Sequence, residues 1–161
     1  MRNAKYNIAA IVLSAVTALL SVACTNNDVY NCFVALPNTG WGEDSLAVFR
    51  TNIDDTETAY DITFQIRNEN NYKYANLWLF VDVISPDGEM VRDTSECILA
   101  RNDGSWLGSG WGSLYTIQCP YRMHTHFRKP GSYTFRIAHG MRDEDIHGIH
   151  SLGLRITKSE N

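Results

Sequence analysis

The sequence predicts an all-β fold, an antiparallel β-sandwich with jelly-roll-like connections and about eight strands. Two observations favour this fold class. Several short segments alternate apolar with polar residues, as half-buried strands do, and turn signals rich in Gly and Pro separate them. No segment keeps a helical period for more than a turn or two. A closed barrel is the alternative, because the pattern does not fix the strand order.

The N-terminus has the features of an export signal. Arg2 and Lys5 precede an apolar run over residues 8–20. This run has 13 residues, fewer than the roughly 20 that a membrane-spanning helix needs. A charged start followed by a short apolar run is typical of a secretory signal peptide.

The end of the apolar run resembles the lipobox of bacterial lipoproteins. Ala23 stands before Cys24, although the preferred Leu lies one position too early, at Leu20. We therefore predict a signal peptide over residues 1–23 and a lipidated tether over residues 24–31. Ordinary cleavage near Ala23 is the alternative, and it would leave Cys24 as a free thiol.

Length and charge restrict the class of the mature protein. The 161 residues suit one domain, and 44% hydrophobic with 20% charged residues is typical of a globular protein. The net charge of −4 becomes −6 once Arg2 and Lys5 are removed, because 12 basic residues then face 18 acidic ones. Such a surface gains no general attraction to nucleic acid or anionic lipid. We predict one β-sandwich domain over residues 32–161.

The first strands follow in chain order. Residues 32–36 and 46–50 are weaker candidates, whereas residues 61–67 alternate strictly. This third segment should turn its apolar side chains to the core, namely Ile62, Phe64 and Ile66. Residues 77–84 are almost continuously apolar, which predicts a central strand covered on both faces.

Turn residues bound the later strands. Pro86 and Gly88 predict a tight turn, and a return strand should begin near Glu89. Three further strands are expected, over residues 114–119, 133–137 and 152–156. Residues 141–148 could form one turn of helix.

One segment is rich in Gly and Trp. Residues 104–113 hold four Gly together with Trp106 and Trp111, but they match neither a phosphate loop nor a dinucleotide fingerprint. The indoles either plug one end of the sandwich or form an exposed lip for a glycan or a protein. Trp41 and Trp78 are expected in the core.

Catalytic chemistry has no clear signature. There is no Gly-x-Ser-x-Gly elbow, and no pair of acidic residues stands out. His124 with His126, and His147 with His150, could bind zinc together, but hydrogen-bonded or solvated imidazoles are the interpretation we favour. We predict no catalytic residue, no metal and no cofactor beyond a covalent lipid such as palmitate on Cys24.

The cysteines leave one question open. With Cys24 lipidated, Cys32, Cys97 and Cys119 remain, and an odd count leaves at least one of them unpaired within the chain. Export would permit a bridge between Cys97 and Cys119, but the thiols could equally be small buried apolar groups.

Several segments together resemble the GldH family of gliding-motility lipoproteins. They are residues 74–81 followed by 85–88, residues 104–110 and residues 131–156, the last of which includes the Met141-Arg142 pair. The resemblance implies an envelope lipoprotein needed for gliding and linked to type IX secretion. It implies no catalytic residue and no ligand site. Cys24, as the site of lipidation, is the one position to which the resemblance assigns a chemical role.

These inferences predict a non-enzymatic structural or assembly component that contacts other gliding or type IX secretion proteins. It would sit in the outer membrane and face the periplasm. Candidate contacts are Trp106, Trp111, Met141 and Arg142, since Trp and Arg are frequent interface anchors. Arg142 and Arg155 could instead pair with acidic neighbours. The alternative function is a carbohydrate-binding β-sandwich lipoprotein.

Overall fold

A computed structural model describes residues 27–160, and its regular structure consists of β-strands. Three of the strands are short, and the other eight have seven to twelve residues. In chain order they are β1 (Asp28–Ala35), β2 (Trp41–Gly42), β3 (Ala47–Ile53), β4 (Tyr60–Glu69), β5 (Asn76–Ile84), β6 (Met90–Ile98), β7 (Ser109–Trp111), β8 (Leu114–Thr125), β9 (Gly131–His139), β10 (Asp145–Ile146) and β11 (Ile149–Lys158).

The long strands form two antiparallel sheets with jelly-roll order. The larger sheet runs β1-β11-β4-β8-β7, and the smaller runs β3-β9-β5-β6. Among the long strands the first pairs with the last, β3 with β9, β4 with β8, and β5 with β6. This nested pairing confirms the predicted antiparallel sandwich. The strands lie in separate sheets within the described region, and no closed barrel forms there.

The core lies between the sheets and is made by alternate residues of each strand. Ile62, Phe64 and Ile66 are buried, as predicted for β4, and Leu77 and Leu79 of β5 face them from the smaller sheet. Burying a side chain of this size contributes roughly 1.5–3 kcal/mol. The alternation of apolar and polar residues therefore gives each sheet one apolar face, and burial of these two faces against each other holds the sheets together.

The outer face of β5 corrects one expectation. β5 is an inner strand of its sheet, but Trp78 and Phe80 are 39% and 46% exposed, so the prediction of cover on both faces is wrong. The core interpretation of Trp78 is wrong for the same reason. Trp41 is confirmed as core, and its indole N–H donates to the Ser45 carbonyl at 2.7 Å.

Two predicted boundaries also differ. β1 begins at Asp28, so residues 28–31 of the predicted tether belong to a strand. The helical turn expected over residues 141–148 is wrong, because Asp145 and Ile146 form β10 against β2. Cys24 and the signal peptide lie outside the described residues. Within residues 27–160 no helix is long and apolar enough to cross a membrane.

The sandwich has two distinct ends. Asp28, Thr157, Tyr60 and Thr125 lie on one side of the larger sheet, which we call the N-terminal end. The strands alternate in direction, so the connections β4–β5, β6–β8 and β9–β11 all meet at the opposite side, the distal end. Any group attached near residue 27 is therefore separated from these loops by the length of the strands.

Candidate interaction surface

All four sequence-predicted contact residues lie at the distal end. Trp106 and Trp111 belong to the connection between β6 and β8, and Met141 and Arg142 follow the end of β9. The topology brings these two segments, which are far apart in the chain, to one end of the molecule. The structure places both segments at this end, and their role in binding stays a prediction.

Trp106 fills a gap between loops. Its indole N–H donates to Oδ1 of Asn70 at 3.1 Å, and its ring lies 6.2 Å from that of Tyr115. The Trp106 backbone also bridges to Ala100. Trp106 therefore fits the interpretation in which the indole fills the end of the sandwich, because it packs between the β4–β5 loop and the segment after β6.

Trp111 has the opposite environment, because 96% of it is exposed. It ends β7, which pairs with β8 through a tight turn at Gly112, where φ is +69°. A Cβ on Gly110 would collide with the carbonyl oxygen of Leu114, so glycine permits this close pairing. The lip interpretation therefore fits Trp111.

Trp78 and Phe80 form the floor of a groove of about 560 Å³, which we call the distal groove. Successive outward residues of a strand lie on one face, so the two rings stand side by side. The walls come from the β4–β5 loop, from β6 and from the segment after β9, with Tyr74, Thr94, Met141, Arg142 and Asp143. Sequence analysis selected Met141 and Arg142 but missed this floor.

Met141 and Arg142 differ in their attachment. The Met141 sulfur accepts a hydrogen bond from the Trp78 backbone N–H at 3.3 Å, which ties the segment after β9 to the start of β5. Arg142 is exposed, and among residues 27–160 no side chain or backbone group pairs with its guanidinium. Internal pairing is therefore wrong for Arg142. It is confirmed for Arg155, which donates to Asp28 at 2.6 Å.

Asp143 is a fixed negative charge on the groove wall. It accepts hydrogen bonds from the Tyr74 hydroxyl at 2.7 Å and from Lys73 at 3.1 Å. These contacts, the Tyr74 bond first, hold the pKa of Asp143 below its usual value, and Asp143 in turn raises the pKa of Tyr74. The wall therefore keeps an ionised carboxylate beside the unpaired Arg142.

A second charged cluster borders Phe80 on the same face. Asp82 accepts two hydrogen bonds from Arg92, at 2.6 and 2.9 Å, and one from Arg136 at 3.3 Å. The Arg92 bonds are the main cause that lowers the pKa of Asp82. Leu46 lies beside this cluster, so apolar and basic groups continue across the sheet face.

The histidines do not converge. His124 and His126 lie at the N-terminal end, whereas His147 and His150 flank the start of β11 at the distal end. Within the described residues, no group of three His, Cys, Asp or Glu side chains is placed to hold a metal ion. The zinc site considered from sequence would need both pairs, and the fold separates them.

Comparison with known sequences gives consistent matches. The family model described as GldH lipoprotein matches residues 28–156. A gliding motility lipoprotein GldH homolog from Christiangramia forsetii is 32% identical over 152 residues, covering 90% of this chain and 93% of the relative. Gliding motility lipoprotein GldH from Flavobacterium johnsoniae is 27% identical over 150 residues, covering 89% and 92%.

Solved structures share weaker similarity. The VP2 subviral particle of infectious bursal disease virus is 16% identical, with a TM-score of 0.36, and the match covers 81% of this chain. The Gt strain of that virus gives 15% identity and a TM-score of 0.35. In both cases the chain spans 31% of the viral chain.

Proposed function

Because the chain belongs to the GldH lipoprotein family, we propose that it is a lipid-anchored envelope protein that serves gliding motility by binding another protein at its distal end. The observation that carries this proposal is the exposed apolar surface of Trp78 and Phe80, which share one groove with the unpaired Arg142, together with the exposed Trp111 at the same end. Aromatic rings and Arg are the side chains that most often anchor protein interfaces. The role proposed is non-enzymatic.

The anchor would hold this surface away from the membrane. Cys24 precedes Asn27 by three residues, which span at most about 11 Å when extended. β4 has ten residues, and at about 3.3 Å per residue it carries the chain roughly 30 Å to the distal end. An acyl chain on Cys24 therefore confines the domain to a leaflet and raises its effective concentration near envelope partners.

The finer assignment follows the family resemblance. We propose the outer membrane as the anchoring site, with the domain facing the periplasm, and a partner from the gliding machinery linked to type IX secretion. The surface supports a protein partner because apolar rings, a free guanidinium and a fixed carboxylate lie within one groove. Such mixed patches allow packing and charge pairing at the same contact.

The test is detergent capture of the tagged protein from native envelopes, followed by mass spectrometry. We expect envelope proteins to co-purify with the wild type, and their recovery to fall about tenfold in R142E combined with W111A, equivalent to about 1.4 kcal/mol. Met123→Ala is the matched control, because Met123 is exposed at the N-terminal end. Equal loss in the control, or no loss in the double variant, contradicts the proposal.

The anchor has its own test. Cys24→Ala should move the protein from the membrane to the soluble fraction, because no acyl chain can then be attached to Cys24. Unchanged membrane fractionation of this variant would contradict lipid anchoring at Cys24, and would leave the distal binding test unaffected.

A second function has one observation in its favour. Trp78, Phe80 and Tyr74 bring three aromatic side chains into one groove with Asn76 and Asp143, and sugars stack on such rings and bond to such polar groups. Recovery of glycan without envelope protein in the same capture experiment would favour carbohydrate binding.

A further inference from the structure

Two buried cysteines face each other between the sheets. Cys97 on β6 and Cys119 on β8 are free, both belong to the buried core cluster, and their side chains interact. The Cys119 sulfur also lies 4.0 Å from the carbonyl oxygen of Glu96, the residue before Cys97. The thiol of Cys119 is therefore packed directly against the segment that carries Cys97.

The two strands that carry the pair approach each other. Some Cα atoms of β6 and β8 come within 8 Å of each other, and a disulfide requires Cα atoms about 4.4–6.8 Å apart. Cys32 is exposed on β1, at the other side of the larger sheet, and does not compete for either thiol. Contact and burial thus single out one pair among the described cysteines.

A bond at this position would join the two sheets. β6 is an edge strand of the smaller sheet, and β8 lies in the larger sheet next to the short β7. No backbone ladder connects β6 with β8 in the described region, where side-chain contacts join them, including those from Tyr121 and Arg122 to Asp93. The chain between the cysteines carries β7, Trp106 and Trp111, so a bond would also fix both ends of that connection.

We propose that Cys97 and Cys119 form a disulfide bond in the exported protein. The two thiols lose two protons and two electrons, one S–S bond forms, and the disulfide of an envelope thiol oxidase is reduced to a dithiol by exchange. The inference rests on the export that the proposed function requires, since cytosolic thiols stay reduced.

The folded pair is protected from later attack. Both sulfur-bearing residues are buried, so reagents in solution have little access to them, although the hydrogen bond with Cys97 lowers the pKa of Cys119. Oxidation therefore belongs to the folding of the exported chain, before the sheets close over the thiols.

The test counts reactive thiols in the full-length mature protein taken from its own envelope. The protein is denatured and labelled with a maleimide polymer, with or without prior reduction. We expect one adduct without reductant, on Cys32, and three after reduction. Three adducts without reductant would overturn the disulfide. In C97S we expect two adducts in both samples, because Cys119 loses its partner.

The same experiment separates the disulfide from the anchor. A thiol at Cys24 that carries no lipid adds one adduct to both samples, which contradicts the anchor and leaves the difference of two intact. The full chain is also refolded in a glutathione redox buffer, where export has no influence. If Cys97 and Cys119 stay reduced in that buffer, the disulfide is overturned. If they form a disulfide in the buffer but the protein is found in the cytoplasm of cells, export is overturned instead.

Discussion

His139 shows how one buried side chain can make stability depend on pH. It is 2% exposed, and its ring meets that of Trp41 edge-on at 5.5 Å. Burial lowers the pKa of His139, although backbone groups of Glu144 and Trp41 and the carboxylates of Glu43 and Asp145 act in the opposite direction. The folded state therefore favours the neutral imidazole.

We predict that acidification below pH 6.5 destabilises the domain through His139. The unfolded chain, whose histidine has the ordinary pKa of 6.5, takes up the proton first, so the free energy of unfolding falls as the pH decreases from 6.5 towards the lower folded pKa. Urea unfolding at pH 7.5 and 5.5 measures this loss. The loss of unfolding free energy between the two pH values should be smaller in H139F. It should persist in the control H126F, in which an exposed histidine is replaced. An unchanged loss in H139F would contradict the assignment.

Asp82 carries a signal that the sequence already contained. It shares the parity of Trp78 and Phe80 along β5, and a strand covered on both faces would not place a carboxylate there. The position of Asp82 predicts that the even-numbered residues of β5 face outward, where Arg92 and Arg136 can reach the carboxylate. The exposed groove floor was therefore predictable from one charged residue in an apolar run. Its partners were not, because they come from neighbouring strands.

At the scale of elements, turns and strands with a local signal were predicted well. The Ser85–Gly88 turn closes as expected, with the Gly88 N–H donating to the Ser85 carbonyl at 2.9 Å. β8 was predicted to stop at residue 119, but it continues past Pro120 to Thr125. The ladder with β4 has register shifts beside this proline, and such irregular positions accommodate a missing N–H. The short β2, β7 and β10 have too few residues for a period to be visible.

Two glycines provide a matched test of the turns. Gly88 and Gly148 have φ near +86° and +85°, but a Cβ on Gly148 would lie 2.6 Å from the Tyr72 nitrogen, whereas one on Gly88 meets nothing. We predict that Gly88→Ala costs about 1 kcal/mol, from left-handed strain alone. Gly148→Ala should cost clearly more, because the β4–β5 loop must also shift. Urea unfolding of both variants measures this, and equal costs would contradict the clash.

At the scale of the whole molecule, the strand order was beyond the reach of sequence patterns. Alternation shows which residues of a strand face the core, but pairing partners depend on all strands at once. β1 pairs with β11 and thereby joins the first and last strands of the domain. The family was predicted from the resemblance of several segments and not from any strand pattern, and the family model matches residues 28–156.

The opposite placement of residue 27 and the distal loops yields the last prediction. A photo-crosslinking residue at position 111 should attach to another envelope protein, because Trp111 lies at the end of the sandwich that is roughly 30 Å from residue 27. The same probe at position 123, at the N-terminal end, should not capture that protein, although Met123 is also exposed. Gel shifts and mass spectrometry of the adducts compare the two positions. Equal capture of one protein at both positions would contradict the prediction. The partner would then contact both ends of the sandwich, and an anchor would not direct the distal end alone towards it.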